Sequence, residues 1–159
     1  YLFISGYTSK VAGTEAGVTE PQTTFSTCFG APFMPLHPTK YAEMLSDKVE
    51  KTGVNVWLIN TGWNGKKERM SLKDTRAVIN AALNGDLNNA EFKKDPYFGF
   101  EVPVAIEGVA SEKLSPATSF DSTAAYETNA KELADKFKAN FKKFEEFATT
   151  DLLAGGPTI

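Results

Sequence analysis

A mixed α/β fold, a mixed sheet with flanking helices, follows from three observations. Val54 to Asn60 (VNVWLIN) is a nearly continuous apolar, β-branched run of the kind found in strands covered on both faces. Thr39 to Lys51 and Leu72 to Asn84 carry apolar residues at helical spacing on either side of it. A longer helical stretch, 123–147, closes the chain with an aromatic stripe. With 159 residues, 42% hydrophobic and 23% charged, the chain has globular composition and the length of one domain.

The elements run as follows. Tyr1 to Ile4 is all apolar and is expected to be a strand; a buried strand without a lead-in, starting at Tyr, leads us to expect a piece of a longer polypeptide. From Ser5 to Phe25 periodicity collapses, with Gly6, Gly13 and Gly17 interleaved among Thr8, Thr14, Thr19, Thr23 and Thr24. A loop of about 20 residues in a compact domain is a functional lid, a binding loop or disorder. Its few charges, Lys10, Glu15 and Glu20, make it too apolar for a plain disordered linker. Pro38 suits a first helical turn, Tyr41, Met44, Leu45 and Val49 share one face of the following helix, and Gly53 stops it.

The strand 54–60 leads into Thr61-Gly62-Trp63-Asn64-Gly65 and a charged patch, Lys66, Lys67, Glu68 and Arg69. Ser71 and Asp74 have capping-box spacing, with a shorter acid than usual. Leu72, Val78, Ile79, Ala82 and Leu83 are the expected inner face of the next helix, which Gly85 ends. Tyr97 to Ile106 reads as an edge strand, because Pro103 cannot donate to a central ladder. Residues 107–121 read as loop. Ser122 or Thr123 caps the last helix, whose stripe of Tyr126, Ala130, Leu133, Phe137, Phe141 and Phe144 is core packing.

Composition narrows the chemistry. A net charge of −3 without a basic cluster argues against nucleic acid or an anionic membrane as partner. The single Cys28 excludes an internal disulfide and a cysteine zinc cage, and the single His37 leaves at most one imidazole base. No apolar run approaches the ~18 residues of a membrane span, so a reduced cytoplasmic setting is expected. There is no G-x-x-x-x-G-K-[ST] phosphate cradle and no G-x-G-x-x-G. Cys28, in apolar surroundings, reads as structural, and His37 as a helix-start residue.

Two features stand above this background. One is the Gly/Thr loop. The other is the strand, glycine-rich turn and capped helix around Asn60 to Thr75, an arrangement at which α/β proteins bind ligands. Arg69 stands before the helix, where a cation opposes the helix dipole. Two readings of Arg69 are open on spacing: a surface pair with Asp74 or Glu68, which spacing favours, or a contact to an aromatic or anionic ligand.

Longer segments carry a resemblance. They are Ile4-Ser5-Gly6-Tyr7-Thr8, Ala12-Gly13-Thr14-Glu15, Thr19-Glu20-Pro21, Cys28-Phe29-Gly30-Ala31, Leu36-His37-Pro38, Asn60-Thr61-Gly62-Trp63-Asn64-Gly65 and Arg69-Met70-Ser71-Leu72-Lys73-Asp74-Thr75-Arg76, with the tail Ala154-Gly155-Gly156-Pro157. In this order, over essentially the whole chain, they resemble the C-terminal part of ATP-dependent phosphoenolpyruvate carboxykinase. The resemblance implies an enzyme that converts oxaloacetate and ATP to phosphoenolpyruvate, ADP and carbon dioxide in gluconeogenesis, with Mg²⁺ and Mn²⁺. It implies that residues 1–159 are the C-terminal portion of a P-loop-type mononucleotide-binding domain, with a mobile lid at 5–25. The P-loop, the metal ligands and most oxaloacetate-binding residues would lie outside this chain. Carried over by motif, Arg69, Met70 and Thr75 would hold the adenosine end of ATP; no catalytic residue and no metal ligand is expected here, and the isolated chain is expected to be inactive. Two positions depart from the pattern: Glu68, where many relatives carry Lys, and Ala16, where some carry Arg. The alternative is a stand-alone, non-catalytic nucleotide-binding or scaffold module.

Overall fold

A computed structural model describes residues 1–10, 16–17, 19, 22–25 and 33–159. Cys28 and part of the expected lid, residues 11–15, 18 and 20–21, lie outside the described residues. The chain forms two compact units, Tyr1–Asn55 with Asp135–Pro157, and Val56–Ala134 with Thr158–Ile159.

The first unit opens with a helical turn, α1 (Leu2–Ser5), closed by Gly6 in the left-handed conformation at φ 44°. A strand was expected here. An unbroken apolar run has no period to separate strand from helix, and the helical turn buries Ile4 and Ser5 while Tyr1 stacks on Phe141, ring centroids 4.0 Å apart. β1 (Tyr7–Lys10) and β2 (Gln22–Phe25) then pair antiparallel, with Tyr7 opposite Phe25, so the two ends of the Gly/Thr stretch form a ladder. The rings of Tyr7 and Phe25 both pack on Phe137.

α2 (Pro38–Thr52) starts as expected, with Pro in the first turn and His37 as its N-cap residue, and ends at Gly53, φ 62°. The His37 ring lies 2.8 Å through Nδ1 from the Thr39 hydroxyl and packs against Phe147. The inner face differs from the expected one. Thr39 and Ala42 are buried, while Met44 and Leu45 stay exposed. Small Ala42 lets the helix approach Ile4 in a cluster with Phe141 and Phe144. Those phenylalanines come from the end of α4 (Thr123–Phe141) and from a 3-10 turn, Lys142–Phe147, that continues the expected long helix in a tighter winding. A short α5 (Thr150–Ala154), capped by the Thr149 hydroxyl, ends the unit.

The second unit is built on α3 (Leu72–Asn84), which begins and ends where the caps predicted, at Ser71 and at Gly85, φ 82°. Ala81, with Leu87, Ile106 and Val109, forms its core; Ala77, Val78, Ala82, Trp57 and Leu114 flank it. Leu72 and Leu83, expected on the inner face, are 75% and 79% exposed. They share a second stripe with Ile79, three residues at helical spacing with no cover among the described residues.

β3 (Phe92–Lys94) and β4 (Glu101–Pro103) pair antiparallel with Phe92 opposite Pro103. The expected strand 97–106 thus shrinks to its middle, Glu101–Pro103. Residues 95–100 make the turn instead: Asp95 Oδ1 accepts from the N–H groups of Tyr97 and Phe98, and Gly99 takes φ 72°. The tail seats on this turn, Thr158 N–H donating to the Tyr97 carbonyl at 2.8 Å.

Val54 to Asn60 forms no strand. A strand exists only as a member of a ladder, and no described segment pairs with this one; Val54, Val56, Leu58 and Ile59 are 41–64% exposed. Only Trp57 finds cover, stacked on Phe92 at 6.0 Å. The mixed α/β class holds, but instead of one mixed sheet the described residues carry two separate two-stranded antiparallel ladders.

Candidate functional site

The segment after Asn60 folds back on itself. The Asn60 side chain accepts from the Gly62 N–H at 2.8 Å. Trp63 and Arg69 then pair as an antiparallel bridge, flanked by Met70 N–H to Gly62 O at 3.2 Å and Asn64 N–H to Glu68 O at 2.9 Å. Asn64 organises the tip: its Oδ1 accepts from the N–H groups of Lys66 and Glu68 at 3.0 and 2.9 Å, and its Nδ2 donates to the Glu68 carboxylate at 3.3 Å. This is the side-chain mimicry of a backbone turn that asparagine performs well. The hairpin holds Lys67 at φ 59°, a left-handed conformation that a non-glycine residue adopts at a cost of about 1–2 kcal/mol.

Gly65 closes the glycine-rich turn read from the sequence. Its role is close approach: a Cβ there would stand 2.6 Å from the Phe120 ring and 2.8 Å from the Ser119 carbonyl. Its N–H donates to the Ser119 hydroxyl at 2.9 Å.

Ser71 begins α3, its hydroxyl oxygen accepting from the Asp74 N–H at 3.1 Å. The same hydroxyl donates to Asp74 Oδ2 at 2.7 Å. Asp74 is 5% exposed, and the Lys113 ammonium meets that same oxygen at 2.7 Å. The hydrogen bond from Lys113, and after it the one from Ser71, holds the Asp74 carboxyl below the usual carboxylate range. The Lys113 ammonium is correspondingly raised by its bond to Asp74. Half of the expected capping box is therefore present: the acid's side chain serves Ser71 and a distant lysine.

The three residues expected to hold adenosine lie along this lip. Arg69 is exposed, and both acids named as its surface partners are engaged elsewhere, Asp74 by Lys113 and Glu68 by Asn64. Among the described residues its guanidinium makes no ion pair. Met70 is half-buried and tied through its N–H to Gly62. Thr75 is half-buried in the first turn, its N–H bonded to Ser71 O at 2.9 Å and its hydroxyl without a partner among the described residues. Trp63, across the bridge from Arg69 and 53% exposed, adds an aromatic surface that the sequence reading did not assign. Lys113 and Ser119 were also missed; they stand 39 and 54 residues from their partners and leave no local pattern. Asn64 had a signal, the Asn-Gly dipeptide of a turn.

A cavity of about 320 Å³ beside the C-terminal half of α3 is lined by Asp86 and Glu107, charges that oppose a phosphate. Among the described residues no three His, Cys, Asp or Glu side chains converge as a metal site. No helix there is long and apolar enough to cross a membrane.

The sign of the Asp74 effect gives a test. A carboxyl whose pKa is depressed by folding stabilises the fold fully above its unfolded value of about 3.9, and the benefit is lost as pH falls through the folded value. Asp74→Asn is expected to lower the urea midpoint at pH 7, and the gap from the parent should close progressively below about pH 4. Urea titrations at stepped pH measure it; a gap that stays constant down to the acid limit contradicts the ion-paired assignment.

The phosphoenolpyruvate carboxykinase family model matches residues 1–112. A protein named phosphoenolpyruvate carboxykinase (ATP) from Flavobacterium johnsoniae is 60% identical over 99% of this chain and 30% of its own length. Proteins of the same name from Christiangramia forsetii and Brucella suis are 55% and 52% identical over 99% and 100% of the chain, again across 30% of their own lengths. The chain thus spans about a third of the curated relatives it matches. On this similarity, reaching from α1 through the Asn60–Thr75 lip, the chain belongs to the phosphoenolpyruvate carboxykinase family.

Proposed function

We propose that this chain is the C-terminal portion of an ATP-dependent phosphoenolpyruvate carboxykinase, and that it holds the adenosine end of ATP on the lip formed by Arg69, Met70 and Thr75. The whole enzyme would turn oxaloacetate and ATP into phosphoenolpyruvate, ADP and carbon dioxide in the cytoplasm, with no nucleic acid or membrane partner. The observation that carries the adenosine assignment is the exposed guanidinium of Arg69, which makes no ion pair among the described residues, on a hairpin where Asp74 and Glu68 are engaged elsewhere. A planar cation stacks on a purine face for about 0.5–2 kcal/mol. The Thr75 hydroxyl, without a partner among the described residues, can hydrogen-bond a base edge for about 0.5–1.5 kcal/mol. Met70 contributes backbone and apolar cover.

Phosphoryl transfer needs charge neutralisation by a phosphate cradle and divalent ions. This sequence has no P-loop, so we assign the phosphates, with Mg²⁺ and Mn²⁺, to the remainder of the enzyme. The isolated chain would then lack turnover. The segment 5–25 is proposed as a lid that closes over bound substrates and excludes water.

The same reading accounts for two sets of apolar residues left exposed among the described residues, Val54, Val56, Leu58 and Ile59, and the Leu72, Ile79, Leu83 stripe. In the whole enzyme Val54 to Asn60 would be a central strand of a P-loop-type mononucleotide-binding domain, paired with strands from outside this chain.

In the full-length enzyme, Arg69→Ala and Thr75→Val are each expected to weaken ATP binding several-fold and leave oxaloacetate affinity nearly unchanged. Arg69→Lys should recover little, because an ammonium cannot stack as a plane does. Calorimetric titration with ATP decides it; parent-like affinity in both variants contradicts the assignment. Leu58→Ala tests the strand. A buried leucine costs about 2–5 kcal/mol on truncation, whereas an exposed one stays within about 0.5 kcal/mol. The larger loss is expected in urea unfolding of the full-length enzyme, and the smaller would show that the segment stays uncovered.

A further inference from the structure

We propose that Lys113 is a positioning residue for the nucleotide lip, acting with Ser119 from a strap that braces the lip at both ends. The inference rests on the reading of Arg69, Met70 and Thr75 given above.

The strap runs through two 3-10 turns, Ser111–Lys113 and Pro116–Ser119. It is internally fixed. Lys113 N–H donates to Ala110 O at 2.9 Å and Leu114 N–H to Ser111 O at 3.1 Å. The Thr118 hydroxyl donates to Ser115 O at 2.7 Å and the Ser119 hydroxyl to Pro116 O at 2.7 Å. Leu114 packs against the Ala81, Leu87, Ile106, Val109 core, which anchors the strap to the body of the unit.

From this base it reaches the lip twice. Ser119 takes the Gly65 N–H, and the Phe120 ring lies where a Gly65 side chain would be, which fixes the hairpin tip. Lys113 meets Asp74 at the start of α3. Arg69 and Met70 lie in the chain between these two fixed points, and Thr75 follows Asp74 directly. Lys113 also offsets a buried carboxylate next to Thr75, a negative charge that would otherwise repel a polyphosphate ligand. Without it the buried Asp74 carboxylate keeps only the Ser71 hydroxyl as a hydrogen-bond donor among the described residues, and the acid gains by swinging toward water. That swing breaks the Ser71 hydroxyl's bond to Asp74 Oδ2 and loosens the start of α3, shifting Arg69 and Met70 on one side of it and Thr75 on the other.

The experiment uses the full-length enzyme and four variants, Lys113→Met, Lys113→Arg, Arg69→Ala and the double variant Lys113→Met with Arg69→Ala. ATP titration, the KM for oxaloacetate and thermal unfolding are read for each. Lys113→Met is expected to weaken ATP binding about five- to tenfold with the oxaloacetate KM unchanged, and Lys113→Arg to restore binding to within about twofold. Added to Arg69→Ala, Lys113→Met should weaken ATP binding by less than about twofold more, because the contact it positions is already gone. Full additivity in the double variant, or parent-like ATP binding in Lys113→Met while Arg69→Ala binds weakly, overturns the positioning role and leaves the adenosine reading standing. Parent-like binding in Arg69→Ala instead overturns the adenosine reading and this inference with it. If Lys113→Met does not yield folded enzyme, Ser119→Ala removes the second brace without touching a charge. It is expected to weaken ATP binding several-fold, and unaltered binding overturns the proposal.

Discussion

One buried carboxylate sets the geometry of the second unit. Asp74 is nearly excluded from water and has its charge met from two directions, by the Ser71 hydroxyl within its own helical turn and by Lys113 from 39 residues away. A buried charge left without a partner is strongly destabilising, so the start of α3 and the turn at 111–113 have to form together. Once α3 begins at Ser71, the bond from Met70 to Gly62 and the Trp63–Arg69 bridge fix how the hairpin meets the helix. Asp74, one of the two acids expected to pair with Arg69, is taken by the half-exposed Lys113, and Arg69 stays exposed.

Local chemistry was legible in the sequence, and non-local chemistry was not. Pro38, Gly53, Ser71 and Gly85 marked helix ends correctly because a cap is a matter of a few adjacent residues. Tyr1 to Ile4 carries no period, so its helical turn could not be told from a strand. Val54 to Asn60 has strand composition, but a ladder is a property of two segments, and the described residues offer no second one. The inner faces of α2 and α3 differ in part from the expected ones for a related reason: Val78 and Ala82 pack on the core as expected, but the large Leu45, Leu72 and Leu83 stay exposed, and the small Ala42, Ala77 and Ala81 permit the close approaches. At the lip, Arg69, Met70 and Thr75 were legible as a motif, yet the pairing of Asp74 with Lys113 was not, and that pairing removes one of the two surface partners expected for Arg69.

The two exposed apolar surfaces and the family relationship bear on each other. Isolated exposed hydrophobic residues are ordinary, but Val54, Val56, Leu58 and Ile59 are crowded into one short stretch of chain. The chain spans about 30% of its relatives' length, and in the proposed enzyme the remaining part would cover such a run. In the proposed division of labour, this portion orients the base and sugar while the remainder neutralises the phosphates. Positioning and neutralisation are separable contributions to phosphoryl transfer, which is why a lip without a P-loop can still be part of a nucleotide site.

The central claim, that ATP rests on the hairpin and the first turn of α3, is tested most directly by amide hydrogen exchange on the full-length enzyme with and without ATP. The account predicts slowed exchange over Gly62 to Thr75, with the cavity-lining residues Asp86 and Glu107 unchanged. Protection elsewhere in the enzyme with no change across Gly62 to Thr75 would contradict it.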